Sequence, residues 1–152
     1  MIKPQTFMKL AYTVSEESRA IRRKVGSLIV KDNNVIAVGY NGTPSGFDNK
    51  CEFLVFRESV DNEMYGFKIS KMELVTKQEV LHAESNAIAK CARSVNSSEG
   101  ADLYTTTSPC MDCSKLIIQA GIKRVYYCER YKDESGLELL KKAGIVVEQI
   151  QV

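Results

Sequence analysis

The sequence is most informative for what it withholds. It has a single histidine in 152 residues, a net charge of only +2, and an odd number of cysteines. No apolar run approaches the ~20 residues that span a bilayer, and Met1-Ile2-Lys3-Pro4-Gln5-Thr6 lacks the charged-then-apolar layout of a secretion signal. These absences predict a cytoplasmic protein with no membrane partner. So small a net charge, with basic residues interleaved among acids, supplies no broad field for gripping a polynucleotide, although a small anionic ligand stays compatible. Five cysteines, at 51, 91, 110, 113 and 128, argue against a disulfide framework and for reduced thiols. Internal repeats and low-complexity tracts are absent too.

What is present has the balance of one globular domain: 44% hydrophobic and 26% charged over 1–152. Phe7, Leu10, Ala11 and Val14 recur at helical spacing and predict a first helix, which ends near Glu16-Glu17-Ser18. Two apolar runs, Val25 to Val30 and Val35 to Tyr40, flank Asp32-Asn33-Asn34 and predict an antiparallel hairpin. Asn41-Gly42-Thr43-Pro44-Ser45-Gly46 has turn chemistry and predicts a structured loop. Residues 47–79 have poor periodicity and read as an insert, with room for a short helix. Beyond it, helices over His82–Arg93, Met111–Ala120 and Leu137–Ala143 alternate with strands over Leu103–Thr107, Val125–Cys128 and Ile145–Ile150. Strands separated by helices are expected to run parallel. The fold class is therefore α/β, with one five-stranded mixed sheet and helices on both faces in three α/β/α layers.

A Cys-x-x-Cys pair such as Cys110 and Cys113 serves redox chemistry, half of a structural zinc site, or neither. A second such pair, which a closed four-thiolate site needs, is missing, so the one imidazole, His82, matters. A Cys₂His set leaves a fourth tetrahedral position open for water, as a catalytic zinc requires. Cys110 and Cys113 fall at a helix start, where amides and dipole favour thiolate. Glu84, two residues after His82, is placed to shuttle a proton. Cys51, Cys91 and Cys128 read as small buried thiols.

His82-Ala83-Glu84 followed by Pro109-Cys110-Met111-Asp112-Cys113 matches the H-x-E…P-C-x-x-C signature of zinc-dependent deaminases. Taken together, Arg22-Arg23-Lys24-Val25-Gly26, Gly39 to Gly46, His82 to Ile88 and Gln119 to Tyr127 resemble deoxycytidylate (dCMP) deaminases, phage-type ones in particular. The resemblance covers about Phe7 to Ile150 and implies a cytidine-deaminase-like fold and a reaction: dCMP and water give dUMP and ammonia, feeding thymidylate synthesis. It implies zinc on His82, Cys110 and Cys113 with Glu84 catalytic. It implies Asn41 at the deoxyribose hydroxyl, the Ala83 amide with Glu84 at the pyrimidine edge, and the Ser108 carbonyl facing the departing amine. For the 5′-phosphate the matching candidates are Arg22 and Arg23 with Tyr127 and Tyr131, since guanidinium forks suit phosphate.

The same resemblance implies activation by dCTP and inhibition by dTTP, with Mg2+ accompanying a regulatory nucleotide. Gly42, Thr43, Ser45 and Gly46 are the regulatory residues it suggests, and Arg93 a regulatory or interface contact. It further implies a homo-oligomer, a hexamer by analogy, and host cytoplasm for a phage-encoded chain. Some phage relatives carry a second, structural zinc. Here Ala20 replaces one of its cysteines, only Cys51 remains, and no second His exists, so one zinc per subunit is expected. The rival readings are a polynucleotide or tRNA deaminase, a free cytosine or cytidine deaminase, and a zinc-stabilised binding domain without turnover. Acceptance of 5-methyl- or 5-hydroxymethyl-dCMP depends on pocket volume.

Overall fold

A computed structural model describes residues 1–58 and 70–152, with backbone alone at Glu58 and Ser70. In chain order the elements are α1 (Pro4–Ser15), β1 (Gly26–Lys31), β2 (Asn34–Tyr40), β3 (Glu52–Glu58), β4 (Ser70–Thr76), α2 (Ala83–Ala92), β5 (Asp102–Thr107), α3 (Met111–Gln119), β6 (Arg124–Glu129), α4 (Ser135–Lys142) and β7 (Val146–Gln149). Five strands form one mixed sheet in the order β2-β1-β5-β6-β7, and β3 pairs with β4 in a separate two-stranded sheet.

The β1–β2 turn follows from its side chains. Asp32 and Asn33 both take positive φ, 49° and 63°, the left-handed conformation that these residues tolerate and that a two-residue hairpin loop demands. Strand directions match the expectation once β1 is accounted for. It runs antiparallel to both β2 and β5, so β2 and β5, separated by α2, point the same way with β1 between them. β5, β6 and β7 are mutually parallel.

Alternation along the strands divides the core. Leu28, Val30, Tyr104 and Tyr126 meet Phe7, Met8 and Ala11 of α1 on one face. Ile29, Leu103, Val125 and Tyr127 meet Ala87, Cys91, Ile117, Leu137 and Leu140 on the other, under α2, α3 and α4. Met8, Leu28, Ile29, Ile117 and Leu140 are fully buried, each worth about 1.5–3 kcal/mol of apolar transfer. The thiols of Cys51, Cys91 and Cys128 are free and buried, as expected of small apolar side chains.

The insert differs from its sequence reading. Its described ends are the strands of an antiparallel hairpin, paired from Glu52↔Thr76 to Glu58↔Ser70. The short helix expected there finds no place in 47–58 or 70–79, and residues 59–69 lie outside the described set. Among the described residues, no helix is long and apolar enough to cross a membrane.

Candidate functional site

The site forms where two helix starts converge. His82 is the extended residue capping α2, with φ −73° and ψ 157°, and Cys110 caps α3 in the same way, with φ −74° and ψ 173°. Neither cap residue supplies a side-chain cap hydrogen bond, and each helix turns first-turn N–H groups without intrahelical partners and a positive dipole end to the space between. Two glycines allow the approach. A Cβ on Gly39 would meet the Ala83 carbonyl oxygen and the Ala87 nitrogen, so α2 lies directly on β2. A Cβ on Gly136 would meet the Pro109 carbonyl oxygen and the Cys110 backbone, so α4 buttresses the turn that carries Cys110.

His82 Nδ1 stands 3.5 Å from Cys110 Sγ and 3.5 Å from Cys113 Sγ, and the three ligand atoms lie within 4.8 Å of one another. Zinc–ligand bonds of about 2.1 Å to nitrogen and about 2.3 Å to sulfur at tetrahedral angles give an N···S separation of about 3.6 Å. The donor set and its spacing therefore fit zinc. Hydrogen bonds from Cys113 and His82 hold the Cys110 thiol down to about 4, so its thiolate is favoured. The Cys110 hydrogen bond and burial push Cys113 up, and the Cys110 hydrogen bond also raises His82.

Glu84 is 4% exposed. Burial raises its carboxyl above the ordinary range, against the opposing pull of its own amide and of His82. Thr105 Oγ1 is 3.5 Å from Glu84 Oε1 but makes its shorter bond, 3.0 Å, to the Thr107 carbonyl. A carboxyl in this setting holds a proton more readily than a solvated one, which suits a group that both takes and gives protons.

His82, Glu84 and Cys110 floor a cavity of about 360 Å³. Arg22, Arg23, Asn41, Ala83, Ser108 and Tyr131, all candidates from the sequence, line it. Asn41 Oδ1 accepts the Val25 amide at 2.8 Å, and its Nδ2 donates to the Arg23 carbonyl at 2.8 Å. Ser108 Oγ accepts the Tyr131 amide at 2.7 Å, tying the two sides of the rim together. Arg23 Nη2 pairs with Glu129 Oε2 at 2.7 Å, and Tyr12 Oη donates to the other Glu129 oxygen at 2.9 Å.

Tyr127 is a correction. It is 5% exposed within the core beneath α2, α3 and α4, and it does not line the cavity. The period of the strand puts it on the face of Val125, away from the rim. The suggested regulatory residues do not line this cavity. Gly42 exchanges backbone hydrogen bonds with Leu81, Thr43 Oγ1 donates to the Asp48 carbonyl at 2.6 Å, and Ser45 and Gly46 are exposed. Arg93 is exposed as the C-cap of α2, at the opposite end of that helix from His82.

Sequence reasoning missed Lys132, Glu52, Thr76 and Val80, all on the cavity wall. Lys132 adjoins Tyr131, and that adjacency was a readable signal. Glu52 and Thr76 belong to the insert, whose hairpin pattern was not readable.

Residues 1–129 match the family described as "Cytidine and deoxycytidylate deaminase zinc-binding region". The deoxycytidylate deaminase of Enterobacteria phage T4 is 38% identical over 172 residues, covering 96% of this chain and 89% of the relative. ComE operon protein 2 of Bacillus subtilis is 36% identical, covering 97% of this chain and 71% of that protein. Among solved structures, the dCMP deaminase of cyanophage S-TIM5 in complex with dCMP and dUMP superposes with a TM-score of 0.82. It is 40% identical, and the match covers 99% of this chain and all of that one.

Proposed function

The chain belongs to the cytidine and deoxycytidylate deaminase family, and on that footing we propose that it hydrolyses dCMP to dUMP and ammonia. One observation carries the reading. The buried Glu84 carboxyl shares the floor of a cavity with His82 and Cys110, two of the three grouped donors His82, Cys110 and Cys113, and the wall of that cavity also bears Arg22, Arg23 and Lys132. A pyrimidine at the floor leaves its 5′-phosphate near the cations, a combination that a free base or nucleoside would not use.

His82, Cys110 and Cys113 would hold zinc, one ion per subunit, and the bound ion would supply the Lewis acidity that makes water a nucleophile near neutral pH. The rest falls to the chain's own groups. Glu84 takes a proton from the attacking water and gives it to the ring nitrogen, then carries the second proton from the new C4 hydroxyl to the 4-amino group, which departs as ammonia and leaves the C4 carbonyl. As the first residue of α2, Ala83 has an amide with no carbonyl one turn earlier in the helix, and it donates to the pyrimidine edge. The Ser108 carbonyl accepts from the amine, and the Asn41 side chain meets the sugar hydroxyl. Arg22, Arg23 and Tyr131 hold the phosphate.

The proposal extends to regulation by dCTP and dTTP in a homo-oligomer. Its support is the Gly42–Leu81 bridge, with Gly42 N to Leu81 O at 3.1 Å and Leu81 N to Gly42 O at 2.8 Å. A nucleotide on the Gly42–Gly46 loop would thereby bear on the residue immediately before His82.

An ammonia-release panel tests the reading, with dCMP, CMP, deoxycytidine, 5-methyl-dCMP and a short single strand, each with and without dCTP and dTTP. The expected result is turnover with dCMP preferred over deoxycytidine by at least about a hundredfold in kcat/KM, the order of two charge-assisted contacts. Equal turnover of dCMP and deoxycytidine overturns the phosphate assignment. Turnover of the single strand alone transfers the reading to polynucleotide deamination.

A further inference from the structure

Between α1 and β1 the arginine segment has no sheet or helix ladder to hold it. Glu52, at the root of β3, reaches this segment from 30 residues away. Its Oε1 accepts two consecutive backbone amides, from Ile21 at 2.8 Å and Arg22 at 3.1 Å. Its register partner Thr76 accepts the Arg22 guanidinium through Oγ1 at 3.3 Å. From the other side, Asn41 holds the Arg23 carbonyl and the Val25 amide. The two arginines thus lie between two side-chain anchors, one of which belongs to the insert.

The hairpin root is itself fixed. The Lys77 amide donates to the Cys51 carbonyl at 2.8 Å, and Lys77 Nζ pairs with Asp48 at 3.2 Å. A carboxylate beside two arginines would ordinarily be taken for their ion-pair partner. Here the Glu52 contacts are to backbone amides, while the Arg23 guanidinium goes to Glu129. Charge-assisted bonds to two adjacent amides restrict the backbone without neutralising the guanidinium groups. Ordering the segment before the ligand arrives removes part of the entropy that binding must otherwise offset.

We propose that Glu52 is a positioning residue for nucleotide binding: it clamps the Ile21–Arg22 backbone so that Arg22 and Arg23 face the cavity, and the insert hairpin is the element that delivers it. This rests on the reading of Arg22 and Arg23 as the phosphate site. Glu52 acts through the arginines and touches no reacting atom.

Steady-state kinetics with dCMP on the full-length zinc enzyme test it, using Glu52→Ala, Glu52→Gln and Thr76→Val. Glu52→Ala is expected to raise KM about tenfold with kcat within about twofold, the pattern of lost binding rather than lost transition-state stabilisation. Gln keeps an oxygen acceptor, so Glu52→Gln should stay within about threefold of the unsubstituted enzyme. Thr76→Val, which removes only the side-chain acceptor, should raise KM about threefold. Zinc content should stay at one per chain in all three. An unchanged KM in Glu52→Ala overturns the clamp, and so does a fall in kcat as large as the rise in KM. Should Glu52→Ala fail to fold, a wild-type KM in Thr76→Val together with a Glu52→Gln defect as large as tenfold overturns it. A dCMP preference absent from the unsubstituted enzyme sinks the phosphate reading instead, so the two failures are separable.

Discussion

Gly39 and Ala83 lie backbone against backbone, so close that a methyl group on Gly39 would strike the Ala83 carbonyl oxygen. That contact seats the first turn of α2 on β2 and thereby sets where His82 and Glu84 begin. Gly39→Ala forces the helix start outward. Overpacking of this kind costs about 1–3 kcal/mol, and the shift acts on His82, the candidate metal ligand one residue away. Denaturant titration should show the stability loss, and zinc competition with a chelator should show weaker binding. Wild-type zinc affinity in this variant would mean that α2 shifts without moving His82.

His82 is the only imidazole in the chain, so no second histidine can replace it at the metal. His82→Ala should lose both zinc and deamination, read by metal analysis of the purified protein beside ammonia release. The unsubstituted enzyme should contain one zinc per chain. Two tightly bound ions would refute the expectation drawn from Ala20 and the absence of a second His.

Glu84→Gln separates the carboxyl from the metal. The amide fills the same buried space without a titrating proton, so zinc should remain while kcat falls by about 10²–10⁴, the usual size of a general acid–base contribution. Full activity with zinc bound would remove Glu84 from the mechanism.

The candidate site was legible because its spacing is local: His82 and Glu84 share one helix start, and Cys110 and Cys113 share the next. The β1–β2 turn was legible because Asp32 and Asn33 accept positive φ. The insert was not, since apolar Phe53, Leu54, Val55 and Phe56 run consecutively through β3 and hide the alternation of a strand. Nor was the role of Glu52 readable, because it is made with backbone amides, which carry no sequence signature, across 30 residues of chain. The tyrosines mark another limit. Which of Tyr126, Tyr127 and Tyr131 reaches the cavity depends on strand register and loop path, and only Tyr131 does.

Tyr127→Phe tests that last placement directly. The ring stays in the core and only the hydroxyl is lost, so KM and kcat for dCMP should stay within about twofold of wild type. Tyr131→Phe should raise KM, because Tyr131 lines the cavity and the proposed phosphate site draws on its hydroxyl. The reverse ranking would return Tyr127 to the site.

Glu129 carries a pH dependence whose sign can be worked out. Hydrogen bonds from Arg23 and Tyr12 hold its carboxyl below the ordinary range. A carboxyl with a depressed folded-state value contributes stability above its unfolded pKa of about 4.3, and that stability is lost as pH falls through the lower folded value. Both partners in the Arg23–Glu129 pair are part-exposed, at 40% and 53%, so solvent screening limits the pair to roughly 0.5–1 kcal/mol. Urea titrations of wild type and Glu129→Gln should therefore differ by about that amount at pH 6–7 and converge as the pH falls below the ordinary carboxylate range. A difference that persists in acid would show that the contribution comes from packing around Tyr12 rather than from the charge on Glu129.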